Sequence, residues 1–350
     1  MALVDEERLE AAPHDAECVP PRIRPHTTSE ITPWLRTPKT IWCPGCSNGT
    51  ITRALIDAIL GLQLDPEKVV VVAGIGCSGR IAQYLEYSTV HTAHGRALAV
   101  ATGVKTADPS LHVIVAMGDG DCSAIGGNHF IHAARRNIDV TALVFNNSIY
   151  GMTGGQMSPT THMGDKSTTS VRGNVEAAFD LSELAHAAGA TYVARGTAWA
   201  YRQLVDVIAG GISHTGFSFV ETMAVCPVYY GRFNLTSDPA EFLKSQKEHA
   251  VPVGKFEDES RLRERYPVGV LHHSEQDALP ARAREADLHR ALGLRRVSHV
   301  RPPAPCRPWP VATPRTRRAR CDAARRPGSA RAVATRPRTC RRGPRVPSGS

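Results

Sequence analysis

The sequence predicts an α/β fold, one parallel sheet with helices packed on both faces. Two observations carry that reading. Apolar runs of strand length recur at residues 69–73, 113–117, 140–145, 191–195 and 217–225, and helical patterns separate each from the next. Such alternation gives parallel strands joined by crossover helices. Four of these runs also end in a small polar cluster: Gly74-Ile75-Gly76-Cys77, Gly118-Asp119-Gly120, Asn146-Asn147 and Cys226-Pro227. In open α/β sheets that is the carboxyl edge, where ligands bind.

Taken in order, residues 1–28 are polar, Pro-containing and aperiodic, and predict a disordered arm. Cys43-Pro44-Gly45-Cys46 follows Trp42 and precedes an apolar-periodic helix over residues 51–62, with Leu55, Ile56, Ile59 and Leu60 on one face. Alone, C-x-x-C fits half a zinc site, a redox dithiol or half an iron–sulfur site, although a thioredoxin-like motif would follow a strand. Cys77 stands at the end of the 69–73 strand and Cys226 at the end of the 217–225 strand. Two singletons so far from the pair argue against structural zinc, which favours compact pairs. His91 and His94 lie where a helix through residue 104 is expected to start, and suit either metal ligation or the lining of an anion pocket.

The 113–117 and 140–145 strands flank a helical segment, roughly 123–136, in a βαβ unit. That crossover brings Asp119 and Asn147 together in space although 28 residues separate them. A carboxylate and an amide oxygen beside glycine-rich backbone suit Mg²⁺, which shares its shell with phosphate oxygens. Further on, a helix over residues 180–188 capped by Asp180, a strand at 191–195, and a helix at 199–212 are expected.

The run GDGD…IGGNH…RRNI…NNSIYGMTGGQMSPTT, residues 118–161, resembles the β subunits of 2-oxoacid:ferredoxin oxidoreductases, close to the 2-oxoglutarate branch, and the likeness extends over about 30–275. It implies a thiamine diphosphate-binding fold. It assigns Cys43, Cys46, Cys77 and Cys226 as ligands of one 4Fe–4S cluster, which needs four thiolates. Asp119, Asn147 and the carbonyl of Ile149 become Mg²⁺ ligands. Ile75, Gly76, Cys77, Ser78, His94, Gly118, Gly120, Asp121, Gly151 and Met152 become cofactor contacts. Arg80, three residues past Cys77, stands where 2-oxoglutarate-using relatives carry a basic residue, and a fixed guanidinium can pair the distal carboxylate of a C5 dicarboxylate. The implied activity is CoA-dependent oxidative decarboxylation of 2-oxoglutarate to succinyl-CoA, with electrons leaving singly through the cluster to ferredoxin. Pyruvate or another 2-oxoacid is the alternative substrate. The domain that activates thiamine from the opposite side is missing from the sequence, so an α subunit is expected to supply it. Cys122, in a helix, and Cys18, Cys306, Cys321 and Cys340, in aperiodic sequence, receive no role.

Charge divides the chain. The net +9 is the sum of a body at −7 and a tail at +16, because residues 281–350 hold 19 Arg, no Lys and three acids. Residues 276–350 predict a disordered Arg/Pro-rich tail. One reading is a basic arm for nucleic acid. Arginine without lysine, mixed with Pro, Ala and Gly, reads instead as a GC-rich gene translated out of frame from about residue 280. No run of 18 apolar residues and no signal-like start appear, so a cytoplasmic chain without a membrane span is expected.

Overall fold

A computed structural model describes residues 20–257 and 265–275. The chain divides into two compact units, Met1–Arg296 and Val297–Ser350. The second unit, the tail from residue 276 and the arm up to residue 19 lie outside the described residues.

The strands are β1 (Val69–Ala73), β2 (Ser88–His91), β3 (His112–Gly118), β4 (Thr141–Asn146), β5 (Ile149–Tyr150), β6 (Gln156–Met157), β7 (Tyr192–Thr197), β8 (Ser218–Met223), β9 (Ala250–Pro252) and β10 (Tyr266–His273). The longer helices are α1 (Asn48–Gly61), α2 (Ala97–Ala107), α3 (Gly127–Arg135), α4 (Leu181–Ala187), α5 (Tyr201–Ser213) and α6 (Pro239–His249). Eight strands form one sheet in the order β2-β1-β3-β4-β8-β7-β10-β9, and β5 pairs with β6 as a small hairpin. Alternate residues of the central strands serve opposite faces. Val69, Val71 and Ala73 of β1 join α1 and α5 in one core, while Val70 and Val72 join α2, α3 and α4 in the other. Each such buried Val contributes about 1.5–3 kcal/mol, so a sheet covered on both faces needs the near-continuous apolar runs seen in the sequence. Strand order reverses between β1 and β3, and the loops leaving β1, β3, β4 and β8 therefore line one carboxyl edge side by side.

Several expectations need correction. The sheet is not wholly parallel: β10 runs antiparallel to β7. Residues 230–275, for which the sequence offers no apolar run, hold α6, β9 and β10. Pro267, the left-handed Gly269 and a register shift at Val270/His272 break the alternation that would announce β10. The edge strand β2, half-exposed and of sequence Ser-Thr-Val-His, has no apolar run to reveal it. His91 consequently ends a strand, and the helix expected to begin there starts at Ala97. The 123–136 helix is two helices, Asp119–Ser123 and α3, interrupted at Ala124. The break lets the left-handed Gly95 pack on residues 125–126, where a Cβ on Gly95 would lie 2.7 Å from the Gly126 nitrogen. The last part of the predicted arm is packed: Ile23 N–H donates to Asp206 and His26 N–H to Asp57, at 2.9 and 2.7 Å. Asp180 caps α4 as expected, accepting from the Ser182 and Glu183 amides. Among the described residues no helix is long and apolar enough to cross a membrane.

Candidate functional site

Cys43, Cys46, Cys77 and Cys226 converge, and all are free thiols. Cys43 and Cys46 share a turn closed by a 3.0 Å bond from Cys46 N–H to the Cys43 carbonyl. Gly45 between them is left-handed and abuts Pro239, leaving no room for a side chain. Trp42 ties this turn to the loop after β1, its Nε1–H donating to the Cys77 carbonyl at 2.7 Å, and its ring packs edge-on to Tyr84. Ser47 ties it to the loop after β8, its Oγ accepting from Val225 N–H at 2.6 Å. Ser47 occupies the N-cap position of α1 but makes no cap bond, so its oxygen serves the neighbouring loop and not its own helix. Gly151 lies beside the thiols, since a Cβ there would stand 3.6 and 3.7 Å from the sulfurs of Cys77 and Cys226.

Burial raises three of the thiols, pushing Cys46 up to about 12, Cys77 up to about 11, and Cys226 upward as well. Repulsion between the sulfurs adds to the effect. Backbone N–H groups oppose it: Asn48 toward Cys46, Met152 toward Cys77, and Tyr229, Tyr230 and Val228 toward Cys226. Among the described residues no three His, Cys, Asp or Glu side chains are grouped to hold a metal ion. Four thiols that share one neighbourhood without closing on a single-ion site, three of them supplied with N–H donors, fit a multi-iron cluster better than zinc.

The second half of the site lies at the ends of β3 and β4. Asp119 is 2% exposed. Its Oδ2 accepts from Ser158 Oγ at 2.5 Å and Thr160 Oγ1 at 2.7 Å. The Asn147 N–H also bonds to it, so the two predicted partners meet. Burial nonetheless raises the Asp119 carboxyl above the ordinary range, against the pull of those hydrogen bonds. Asn147 Oδ1 accepts from Ile149 N–H at 3.2 Å, forming a turn through the left-handed Ser148. Gly120 is covered by Tyr150, whose hydroxyl donates to the Gly120 carbonyl.

Asp121 is held by groups of the chain itself. Its Oδ1 accepts from Gly95 N–H at 2.6 Å and pairs with His94 Nδ1 at 2.5 Å, and its Oδ2 accepts from Ile75 N–H at 3.2 Å. The carboxylate is buried and clamps the loops after β1, β2 and β3 together. Gly74 is required beside it, because a Cβ would fall 1.6 Å from Asp121 Oδ2. His94 keeps its Nε2 for a ligand and packs edge-on to Tyr150. Ile75 and Met152 are exposed, a Cβ on Gly76 would meet nothing within 4 Å, Gly151 is buried against the Cys77 and Cys226 sulfurs, and Ser78 Oγ lies beside Gly118. Arg80 is half-buried, and its guanidinium makes no hydrogen bond or ion pair among the described residues. Cys122 packs in the core. Trp42, Ser47, Ser158 and Thr160 were not identified from sequence. The last two lie in the Ser158–Thr161 run that the resemblance quoted without giving it a task.

A parallel sheet with Gly-Asp-Gly and Asn-Asn at adjoining strand ends defines the class, a thiamine pyrophosphate enzyme domain. Residues 74–222 match the family described as "Thiamine pyrophosphate enzyme, C-terminal TPP binding domain". The chain is 50% identical over 231 residues to the 2-oxoglutarate synthase subunit KorB of Methanocaldococcus jannaschii, covering 65% of this chain and 86% of that one. It is 55% identical over 224 residues to the KorB subunit of Archaeoglobus fulgidus, covering 63% and 81%. The 2-oxoacid:ferredoxin oxidoreductase subunit beta of Saccharolobus solfataricus is 41% identical over 249 residues, covering 67% and 82%. Among solved structures, the 2-oxoglutarate:ferredoxin oxidoreductase from Magnetococcus marinus, with 2-oxoglutarate, coenzyme A and succinyl-CoA bound, superposes with a TM-score of 0.67. It is 32% identical, and the match covers 77% of this chain and 92% of that chain. The chain belongs to the β subunits of the 2-oxoacid:ferredoxin oxidoreductases, in the 2-oxoglutarate synthase group.

Proposed function

We propose that this chain is the thiamine diphosphate-binding subunit of a 2-oxoglutarate:ferredoxin oxidoreductase, forming succinyl-CoA in the cytoplasm and passing electrons singly to ferredoxin. The observation that carries the reading is the adjacency of two sites on one sheet edge. The four thiols and the Asp119–Asn147 pair adjoin through the short segment from Asn147 to Met152. Thiamine diphosphate, when bound, supplies the carbanion chemistry that decarboxylates a 2-oxoacid.

The chain's own groups then have distinct tasks. Asp119, Asn147 and the Ile149 carbonyl hold Mg²⁺, which anchors the diphosphate. The loops 74–78 and 118–120, with Gly151 and Met152, form the cradle, and His94 lines it. Asp121 pairs with His94 Nδ1 and so sets the orientation of the ring. Cys43, Cys46, Cys77 and Cys226 hold the 4Fe–4S cluster, and the N–H groups aimed at three of the sulfurs favour its reduced state. Arg80, whose guanidinium has no partner among the described residues, pairs the distal carboxylate of 2-oxoglutarate. An α subunit completes the site from the open side.

The test uses the complex purified anaerobically with its α subunit. Iron content and the EPR spectrum of the reduced protein should report one 4Fe–4S cluster per chain; zinc, or no metal, would sink the electron-transfer half. Arg80→Ala should raise KM for 2-oxoglutarate with little effect on melting temperature, and should leave pyruvate turnover unchanged. An equal loss on both substrates would remove Arg80 from substrate recognition.

A further inference from the structure

A run of buried polar side chains leads from Asp119 into the centre of the sheet. Thr160 Oγ1 lies 2.7 Å from Asp119 Oδ2 and 3.0 Å from Asn146 Oδ1. Asn146 Nδ2 donates to Glu221 Oε1 at 2.7 Å. Glu221 Oε2 accepts from Arg195 Nε at 2.8 Å and from Ser182 Oγ at 2.7 Å. Arg195 Nη2 then reaches Asp180 Oδ1 at 2.6 Å, at the capped end of α4. Glu221 and Arg195 are 2% and 4% exposed, on the neighbouring inner strands β8 and β7, where their backbones lie in register.

A purely structural account explains this poorly. Moving both charges out of water costs several kcal/mol each, and a well-packed apolar pair is often at least as stable. What the ion pair does provide is orientation. As the anion of a salt bridge Glu221 only accepts, so Asn146 must present its Nδ2 to it and turn its Oδ1 the other way. That Oδ1 accepts from Ser148 N–H at 3.1 Å, at the residue whose φ is +57°. The bond fixes the turn that carries Asn147 and the Ile149 carbonyl. The same Oδ1 competes with Asp119 for the single Thr160 proton, and so sets where that hydroxyl points.

We infer that Glu221, held by Arg195 and Ser182, is a positioning residue for the divalent-cation site: it locks the Asn146 amide, and through it the 146–149 turn and the Thr160 hydroxyl on Asp119. The inference rests on the Mg²⁺ reading above. It gives that site a support four strands wide. With Gln at position 221 either end of the amide can face Asn146, the Asn146 side chain is free to flip, and Ser148 N–H loses its acceptor.

The experiment uses the complete αβ complex stripped of Mg²⁺, with Mn²⁺ as the probe, titrated by EPR in the presence of thiamine diphosphate. Outer-shell partners of metal ligands typically contribute 10–100-fold in affinity, so Glu221→Gln should weaken Mn²⁺ binding by about that much. Thr160→Val should weaken it too, whereas Thr160→Ser, which keeps the hydroxyl, should bind as wild type does. If the groups act through one path, the Glu221→Gln/Thr160→Val double variant loses less than the product of the two single effects. Ser182→Ala removes one hold on Glu221 and leaves the ion pair intact; it should cost a few-fold and decides the matter if Glu221→Gln does not fold. Unchanged Mn²⁺ affinity in folded Glu221→Gln and in Ser182→Ala, or effects that multiply in the double variant, would overturn the inference. A wild-type complex that takes up no Mn²⁺ would overturn the metal reading and this inference with it, an outcome visible before any variant is made.

Discussion

Ser47→Ala tests whether the cysteine loops are held together by the protein or only by what they bind. Ser47 Oγ accepts from Val225 N–H at 2.6 Å, and Val225 is 1% exposed. Alanine leaves that amide buried without an acceptor, a loss of about 1–3 kcal/mol. In a chain of this size 1 kcal/mol shifts melting by about 2–4 °C, so cluster-free protein should melt roughly 2–12 °C lower. Cys226 follows Val225 directly, so the same bond sets the distance from the C-x-x-C turn to the fourth thiol. Reconstituted protein should therefore release iron to a chelator faster, by up to about tenfold for each 1.4 kcal/mol lost. Ser47→Thr keeps the hydroxyl and should restore both properties. Differential scanning calorimetry and a timed chelator assay measure the two effects. If Ser47→Ala melts and holds iron as wild type does, the loops are not coupled through this bond.

Two further outcomes follow from the geometry. Gly74→Ala sets a methyl 1.6 Å from Asp121 Oδ2, so Asp121 must release the amides it clamps; overpacking costs about 1–3 kcal/mol and each lost charged hydrogen bond about 1.5–3, read by chemical denaturation. His214 is held at about 4 by burial and by the neighbouring His273. Between that value and the ordinary 6.5 the unfolded chain binds the extra proton, so folding loses stability as pH falls through this window. Denaturant midpoints measured from pH 7 to 4 should fall less steeply in His214→Gln than in wild type, and parallel slopes would show that His214 titrates normally.

The parts of the site legible in the sequence share one property: they combine an unusual residue with a position at a strand end. Gly118-Asp119-Gly120, Asn146-Asn147, Cys77 and Cys226 each terminate an apolar run, and the parallel-sheet rules then put them on one edge. What was not legible depends on three-dimensional partners. Ser47 looks like an ordinary N-cap and Trp42 like a packing residue, because nothing local shows that Val225 and Cys77 receive their bonds. Glu221 and Arg195 interrupt strands in the way surface charges do, and only adjacency of β7 and β8 makes them a buried pair. The clamp made by Asp121 was hidden for the same reason, since its three partners come from loops 26 to 46 residues away in sequence. The strand β2 escaped because an edge strand buries little and carries no strong apolar alternation, and β10 because Pro267, Gly269 and its register shift break the alternation.

The two acids of Gly118-Asp119-Gly120-Asp121 are both buried, yet the structure gives them opposite energetics. Asp121 accepts two backbone N–H groups and pairs with His94, so its charge is compensated within the chain. Asp119 has hydroxyls and an amide around it but no ion pair among the described residues, since Arg195 is committed to Glu221 and Asp180. An anion buried without a cation is costly, and burial shifts the Asp119 carboxyl above its ordinary range. A diphosphate brought to this edge would worsen the imbalance, whereas a divalent cation between the two relieves both, which is the physical support for Mg²⁺ in the proposed site. Neutral substitutions should therefore act in opposite directions in metal-free protein. Asp119→Asn should leave stability within about 1 kcal/mol of wild type or raise it, because it removes an uncompensated charge while an amide oxygen still accepts from Ser158 or Thr160. Asp121→Asn should lower stability by about 2–5 kcal/mol, because an amide nitrogen would face an N–H donor and the charge-assisted bonds weaken. With metal and thiamine diphosphate present, Asp119→Asn should lose the ligand-dependent rise in melting temperature that wild type shows. Equal destabilisation by the two substitutions in metal-free protein would mean that Asp119 is compensated as Asp121 is, and the argument for a cation at this position would fail.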